Sequence, residues 1–286
     1  MGYGRWVART RKLFAALRRR GPHKVLRGDL AFAGIPGVVH TPAAGFHLPA
    51  VAFGHDWLTG PERYAGTLEH LASWGIVAAA PATQRGPAPS VLNLSADLLA
   101  ALDVVSGVRL GPGEISVARD KLALAGVGFG AAAAIVAAAS AGNRSVGAVT
   151  AVFPSVTKPS AEVAAATLAV PGLVLATPDD AKSLRTDARE IGQGWDGAML
   201  RVVDRADAAG MAERRSLLRL LRFPAPSSRT QKTVRGLLTG FLLYHLTGDK
   251  TYREFADPDT TLPRTSQPDP DAPPVTAEDR VAALFR

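Results

Sequence analysis

Apolar and polar residues along this chain alternate in blocks whose period switches repeatedly between two and 3.6, as when strands exchange with helices. Two short apolar runs, Leu30–Ala33 and Val38–Thr41, separated by Gly34-Ile35-Pro36-Gly37, predict an opening antiparallel pair. Leu48–Gly54 reads as a buried strand, and a helix starting at Pro61 carries Tyr64, Leu68 and Leu71 on one face until Gly75 ends it. Ile76–Ala80 is the next strand, and Leu94, Leu98, Leu102 and Val105 mark one face of a second helix. Further on, the pattern predicts strand Val146–Val152, helix Ala161–Leu168, strand Gly172–Thr177, helix Lys182–Ile191 and strand Ala198–Val203. A long helix, Thr230–Leu246, follows with Val234, Leu237, Leu238, Phe241 and Leu242. This alternation predicts an α/β fold with a mostly parallel central sheet covered by helices on both faces. Asp257–Val275 has six prolines in nineteen residues and no apolar period, so it reads as a linker or a disordered C-terminal tail. Thr276–Arg286 reads as one short helix, with Thr276 and Asp279 as its cap signal.

Between the second helix and strand Val146–Val152 lies Leu122–Gly142, twenty-one residues without a charged side chain. Hydropathy alone permits a membrane span. The three alternating glycines, Gly126, Gly128 and Gly130, make a poor helix start and good turn chemistry, which argues against it. Gly126, Gly128 and Ala131 also fit G-x-G-x-x-A, but a dinucleotide site needs a carboxylate after the next strand. Phe153-Pro154-Ser155 stands there instead. The third reading fits best: Gly126-Val127-Gly128-Phe129-Gly130 is a G-x-S-x-G strand–turn–helix elbow with glycine where the nucleophilic serine belongs.

Five further segments then fall into order around the elbow. They are Val51–Trp57, Tyr64–Gly75 with Leu71-Ala72-Ser73-Trp74-Gly75, Asp97–Asp103 and Pro171–Asp180, with Thr247–Tyr252 closing the last helix. In this order they resemble the α/β-hydrolases, most nearly the bacterial cutinase-like polyesterases and dienelactone-hydrolase relatives, over roughly Asp29 to Asp257. The resemblance implies an α/β-hydrolase fold, an oxyanion loop at Val51–Trp57 and an acid position at Asp180 or its neighbour Asp179. It also places the nucleophile at Gly128 and the histidine near Asp207, and neither residue can serve. Acyl transfer needs a nucleophile, an imidazole to take its proton and a carboxylate to orient the imidazole. Of six histidines none lies between residues 71 and 244. His55, on the loop facing the elbow, is the one candidate for a substitute base. Asp180 with Asp207 is a candidate carboxylate pair, and Ser155 has no base to accompany it. The backbone N–H groups of Asp56 and Phe129 are expected to leave an anion-binding hole, with Trp57 beside it. Carboxylates without clustered histidines give no metal site, and no cofactor is expected.

Charge adds a second feature. The net charge is +8, and Met1–Lys24 carries Arg5, Arg9, Arg11, Lys12, Arg18, Arg19, Arg20 and Lys24 without an acid, which accounts for the whole excess. Arg5–Arg20 reads as a basic amphipathic helix with Trp6, Leu13 and Leu17 on one stripe and Val7 and Phe14 beside it. Trp6, Arg9, Leu13, Phe14 and Leu17 suit insertion into an anionic membrane surface. The same stripe suits docking on the chain's own domain, and nucleic acid is not expected as a partner. The stretch has neither the apolar run of a signal peptide nor a myristoylation signal. No cysteine is present, which leaves the redox compartment open.

The expected organisation is a basic helix at 1–24, an α/β-hydrolase domain at 25–256, a linker at 257–275 and a terminal helix at 276–286. The expected function is that of a hydrolase-fold protein without serine-hydrolase activity. It would bind an acyl or lipid-like ligand, or scaffold a partner, at the cytoplasmic face of the membrane. The alternatives are an enzyme rewired around His55 and an interaction module whose C-terminal tail recruits a protein.

Overall fold

A computed structural model describes residues 2–180, 183, 185–213 and 226–268, without the side chains of residues 2–7. Nine strands form one sheet: β1 (Val25–Asp29), β2 (Gly37–Pro42), β3 (Gly45–Gly54), β4 (Val77–Pro81), β5 (Ile115–Val127), β6 (Val146–Val152), β7 (Gly172–Ala176), β8 (Ala198–Val203) and β9 (Thr265–Ser266). Their spatial order is β1-β2-β4-β3-β5-β6-β7-β8-β9. The strands from β4 to β8 run parallel, whereas β1, β2 and β9 pair antiparallel at the two edges. The chain therefore has the predicted α/β architecture, with a mixed, mostly parallel sheet.

Seven α-helices are assigned among the described residues: α1 (Gly2–Leu17), α2 (Ala65–Ser73), α3 (Val91–Gly107), α4 (Phe129–Ala139), α5 (Ala161–Ala165), α6 (Ala188–Gly194) and α7 (Ser228–Thr247). Side chains alternate across each strand, so β5 sends Leu122 and Leu124 into one apolar layer and Ala123, Ala125 and Val127 into the other. The first layer packs under α3, α4, α5 and α6, and the second under α1, α2 and α7. Both faces are thus covered, as near-continuous apolar strands require.

The differences from expectation have local causes. Leu30–Ala33 is a 3-10 helix, because the Asp29 carboxylate accepts from the Ala31 N–H at 2.9 Å and Gly34 closes the turn with φ 81. The first strand is therefore Val25–Asp29. Pro61–Arg63 forms a separate 3-10 turn before α2, and α6 begins only at Ala188. Residues 257–268 are not a linker: the buried Arg201 guanidinium donates to the carbonyls of Asp257 at 2.9 Å and Pro258 at 2.7 Å. Leu262 is buried beside them, and β9 pairs with β8. The rest of the expected linker and the terminal helix, residues 269–286, lie outside the described residues.

The N-terminal helix requires a correction. Phe14 and Leu17, read as membrane-facing, are 3% and 0% exposed, because α1 docks on α7 and joins the apolar layer there. Phe14 stacks on Phe255 with ring centroids 6.3 Å apart, and Gly236 of α7 lets α1 come close. Burying a side chain such as Leu17 is worth about 1.5–3 kcal/mol, so the docked face is unavailable to a bilayer. Leu13 is partly buried against the same layer, Arg9 is exposed, and the Trp6 side chain lies outside the described residues.

Candidate functional site

The elbow is built by β5 running into α4 through Gly128, whose φ of 56 and ψ of −118 belong to a region unfavourable to side-chain-bearing residues. Backbone approaches too close for a Cβ hold it there. A Cβ on Gly126 would stand 2.2 Å from the Gly130 carbonyl oxygen, and one on Gly130 would stand 2.2 Å from the Gly54 carbonyl carbon. The glycines flanking Gly128 therefore allow α4 to press against the ends of β3 and β5. The Gly128 N–H donates to the Val152 carbonyl at 2.9 Å, and its own carbonyl accepts from the Ser155 N–H at 3.1 Å.

The loop after β3 lies across this turn. Asp56 Oδ1 accepts from the Phe129 N–H at 2.9 Å and from the Trp57 N–H at 2.8 Å. A Cβ built on Gly128 would fall 2.0 Å from that oxygen and 2.3 Å from the Asp56 carboxyl carbon. The carboxylate thus occupies the volume that a side chain at position 128 would take and uses the N–H groups of Phe129 and Trp57. This corrects the expectation of an open anion hole. Phe129 does contribute its N–H, but Trp57 supplies the second donor and the protein supplies the anion. The start of α4 favours a carboxylate through its helix dipole. Burial nevertheless raises the Asp56 pKa, against the opposing pull of the Phe129 and Trp57 N–H groups and of His55.

The loop is braced from below. The Tyr64 hydroxyl, buried against Phe53, is hydrogen-bonded to the Asp56 backbone and the Thr59 side chain, and burial raises its pKa. The Thr59 hydroxyl donates to the Asp56 carbonyl at 2.6 Å. Trp57 is half exposed, with its indole N–H donating to the Pro87 carbonyl at 3.1 Å.

The other predicted site residues are each committed elsewhere. His55 is fully buried, with Nδ1 2.9 Å from the Asp56 carbonyl and Nε2 2.7 Å from the Thr83 carbonyl. Both ring nitrogens are held against backbone carbonyl oxygens in the buried loop, so neither is placed to reach a substrate proton. His55 ties the β3 loop to the β4 loop. Asp180 is fully buried, and its Oδ2 accepts from the Arg189 N–H at 3.1 Å in the first turn of α6. Its Oδ1 has no partner among the described residues. Asp207 is exposed and caps the 3-10 turn Ala208–Met211 by accepting from the Ala209 N–H at 2.9 Å. Asp179 is exposed. The structure therefore brings together Gly128, Asp56, Phe129 and Trp57, and assigns His55, Asp180 and Asp207 to bracing and capping.

Sequence reasoning missed the Asp56 side chain. Its signal was the pairing of an acid on the oxyanion loop with a glycine at the elbow, where a carboxylate has room only because the nucleophile is absent.

No family model matches this chain, and no curated protein matches it. Among the described residues no helix is long and apolar enough to cross a membrane, and no cluster of three or more His, Cys, Asp or Glu is placed to hold a metal ion.

Proposed function

We propose that this chain is an α/β-hydrolase-fold protein that has lost serine-type acyl transfer and acts by binding. The strand order with its antiparallel second strand, the glycine-flanked elbow and the loop after β3 support the fold-level part of this reading. The Asp56 carboxylate carries the functional part, since it fills the nucleophile position and saturates the Phe129 and Trp57 N–H groups. Loss of serine or histidine from such a site costs on the order of a millionfold in turnover. Here both are absent, and the residual oxyanion contribution is blocked as well. An acyl or lipid-like ligand reaching the elbow has to displace the Asp56 side chain from the Phe129 and Trp57 N–H groups. The chain therefore serves as a scaffold whose recognition surfaces lie away from the elbow. The burial of Phe14 and Leu17 argues against membrane insertion of α1 through these residues.

The test is hydrolysis of p-nitrophenyl esters from short to long acyl chain by wild type, Asp180→Ala and Asp56→Ala proteins. All three are expected to match buffer. Turnover by wild type that disappears in either variant would establish a rewired enzyme and overturn the reading.

A further inference from the structure

On the face covered by α1, α2 and α7, a cleft of ≈ 610 Å³ is lined by Arg18, Arg19 and Arg20 at the end of α1, Glu69 and His70 of α2, and Lys232 and Arg235 of α7. That size suits a small-molecule group. The end of α1 is fixed in place over α2: the Gly21 N–H donates to the Ser73 hydroxyl at 2.8 Å, and the Trp74 indole donates to the Arg19 carbonyl at 3.0 Å. Two of the five cations have carboxylate partners. Arg20 pairs with Glu69 at the rim, and Arg235 pairs at 2.7 Å with Glu213, which also accepts from the N–H groups of Gly66 and Thr67. Arg18, Arg19 and Lys232 have no carboxylate partner among the described residues.

Two buried polar atoms strengthen the case. Arg18 Nε has no hydrogen-bond partner among the described residues, and its guanidinium lies 5.6 Å from the Phe14 ring centroid. Burial first, then the like charges of Arg264 and Arg229, lower its pKa, so the cations on this face repel one another. His70 is 5% exposed, hydrogen-bonds the Leu17 backbone, and leaves Nε2 unpartnered in the cleft wall. Three cations without a carboxylate partner among the described residues line this concave site beside the Arg20–Glu69 and Arg235–Glu213 pairs, and that surplus calls for an external anion. Arginine forks match phosphate oxygens geometrically, and an imidazole nitrogen can accept from a phosphate O–H or donate once protonated.

We propose that the α1–α2–α7 cleft binds a phosphate-bearing ligand, its phosphate held by Arg18, Arg19 and Lys232 and one of its O–H groups donating to the buried His70 Nε2. Two sources present this chemistry: a soluble phosphorylated small molecule and the headgroup of an anionic phospholipid. The cleft shares no residue with the elbow, so its failure leaves the reading of Asp56 intact, and ester turnover would leave the cleft intact.

The experiment uses the full chain with two probes: calorimetric titration with inorganic pyrophosphate, and sedimentation with phosphatidylglycerol–phosphatidylcholine vesicles against phosphatidylcholine alone. The cleft variant is Arg19→Glu with Lys232→Glu, both at exposed positions. The control is Arg9→Glu with Arg11→Glu, which reverses as much charge on α1 outside the cleft. Circular dichroism and thermal unfolding of each variant confirm an unchanged fold. Pyrophosphate affinity falling about tenfold or more in the cleft variant, and less than about twofold in the control, supports the site and a soluble source. Silence with pyrophosphate, together with vesicle binding lost only in the cleft variant, supports the site and a headgroup source. No binding of either probe, or equal weakening by both variants, overturns the proposal.

Discussion

At the elbow one oxygen, Asp56 Oδ1, plays two parts: it is the anion in the hole and the obstacle where a nucleophile would stand. Residue-level energetics follow from that double occupancy. Replacing Gly128 with serine forces a side chain into a positive-φ turn, costing on the order of 1–3 kcal/mol, and drives it into the carboxylate. With Asp56→Ala already in place, the second part of that cost vanishes. Urea unfolding of wild type, both single variants and the double variant is expected to give a coupling of about 1 kcal/mol or more between the two positions. Additivity within about 0.5 kcal/mol would place the Asp56 carboxylate elsewhere. Spacing made Gly126, Gly128 and Gly130 readable as an elbow, because only glycine tolerates those approaches. Where the Asp56 carboxylate points was not readable, since it depends on Gly54 pairing beside Gly126 and on Tyr64 bracing the loop from outside the motif.

Between elements, the docking of α1 on α2 and α7 matters most. His70 of α2 hydrogen-bonds the Leu17 backbone at the end of α1, and burial together with the nearby Arg235 charge lowers its pKa from 6.5 to about 4. In the unfolded chain the ring takes up its proton near the ordinary value. Between pH 4 and 6.5 the unfolded state therefore binds more protons, and stability rises with pH. For His70 the rise amounts to at most about 3 kcal/mol. His40 and His245 are shifted in the same direction, mainly by burial, and add to the slope. The urea midpoint is expected to fall from pH 7 to pH 4.5, with a shallower fall in His70→Gln. An unchanged slope in that variant would assign the dependence to other groups. The stripe on α1 was legible from its apolar period, but a period cannot say which surface it meets. The edge of the sheet was less legible, because the Asp29 cap turns the apolar Leu30–Ala33 into a 3-10 helix that mimics a strand in sequence.

For the molecule as a whole, the charge that sequence arithmetic places in the first 24 residues is not carried on a separate arm. Folding α1 against α2 and α7 brings Arg18 and Arg19 beside Lys232, from the opposite end of the chain, and makes one concave basic face. The alternation of strands and helices announced the α/β architecture, because the central strands read as short apolar runs and helices such as α2, α3 and α7 carry an apolar stripe. The extent of the domain was misread at its end. Prolines around Pro258 suggested a linker, whereas a single buried guanidinium, Arg201, holds that segment on the sheet. The closed elbow on the sheet and the open basic cleft on one helical face thus occupy separate places. The most direct measurement of the first is a carbon-detected NMR titration of the Asp56 carboxyl, followed together with the Phe129 and Trp57 amide protons. The account predicts a midpoint above that of an ordinary aspartate, with both amide signals moving at the same midpoint. An ordinary midpoint with both amides unmoved would contradict it and leave the anion hole open.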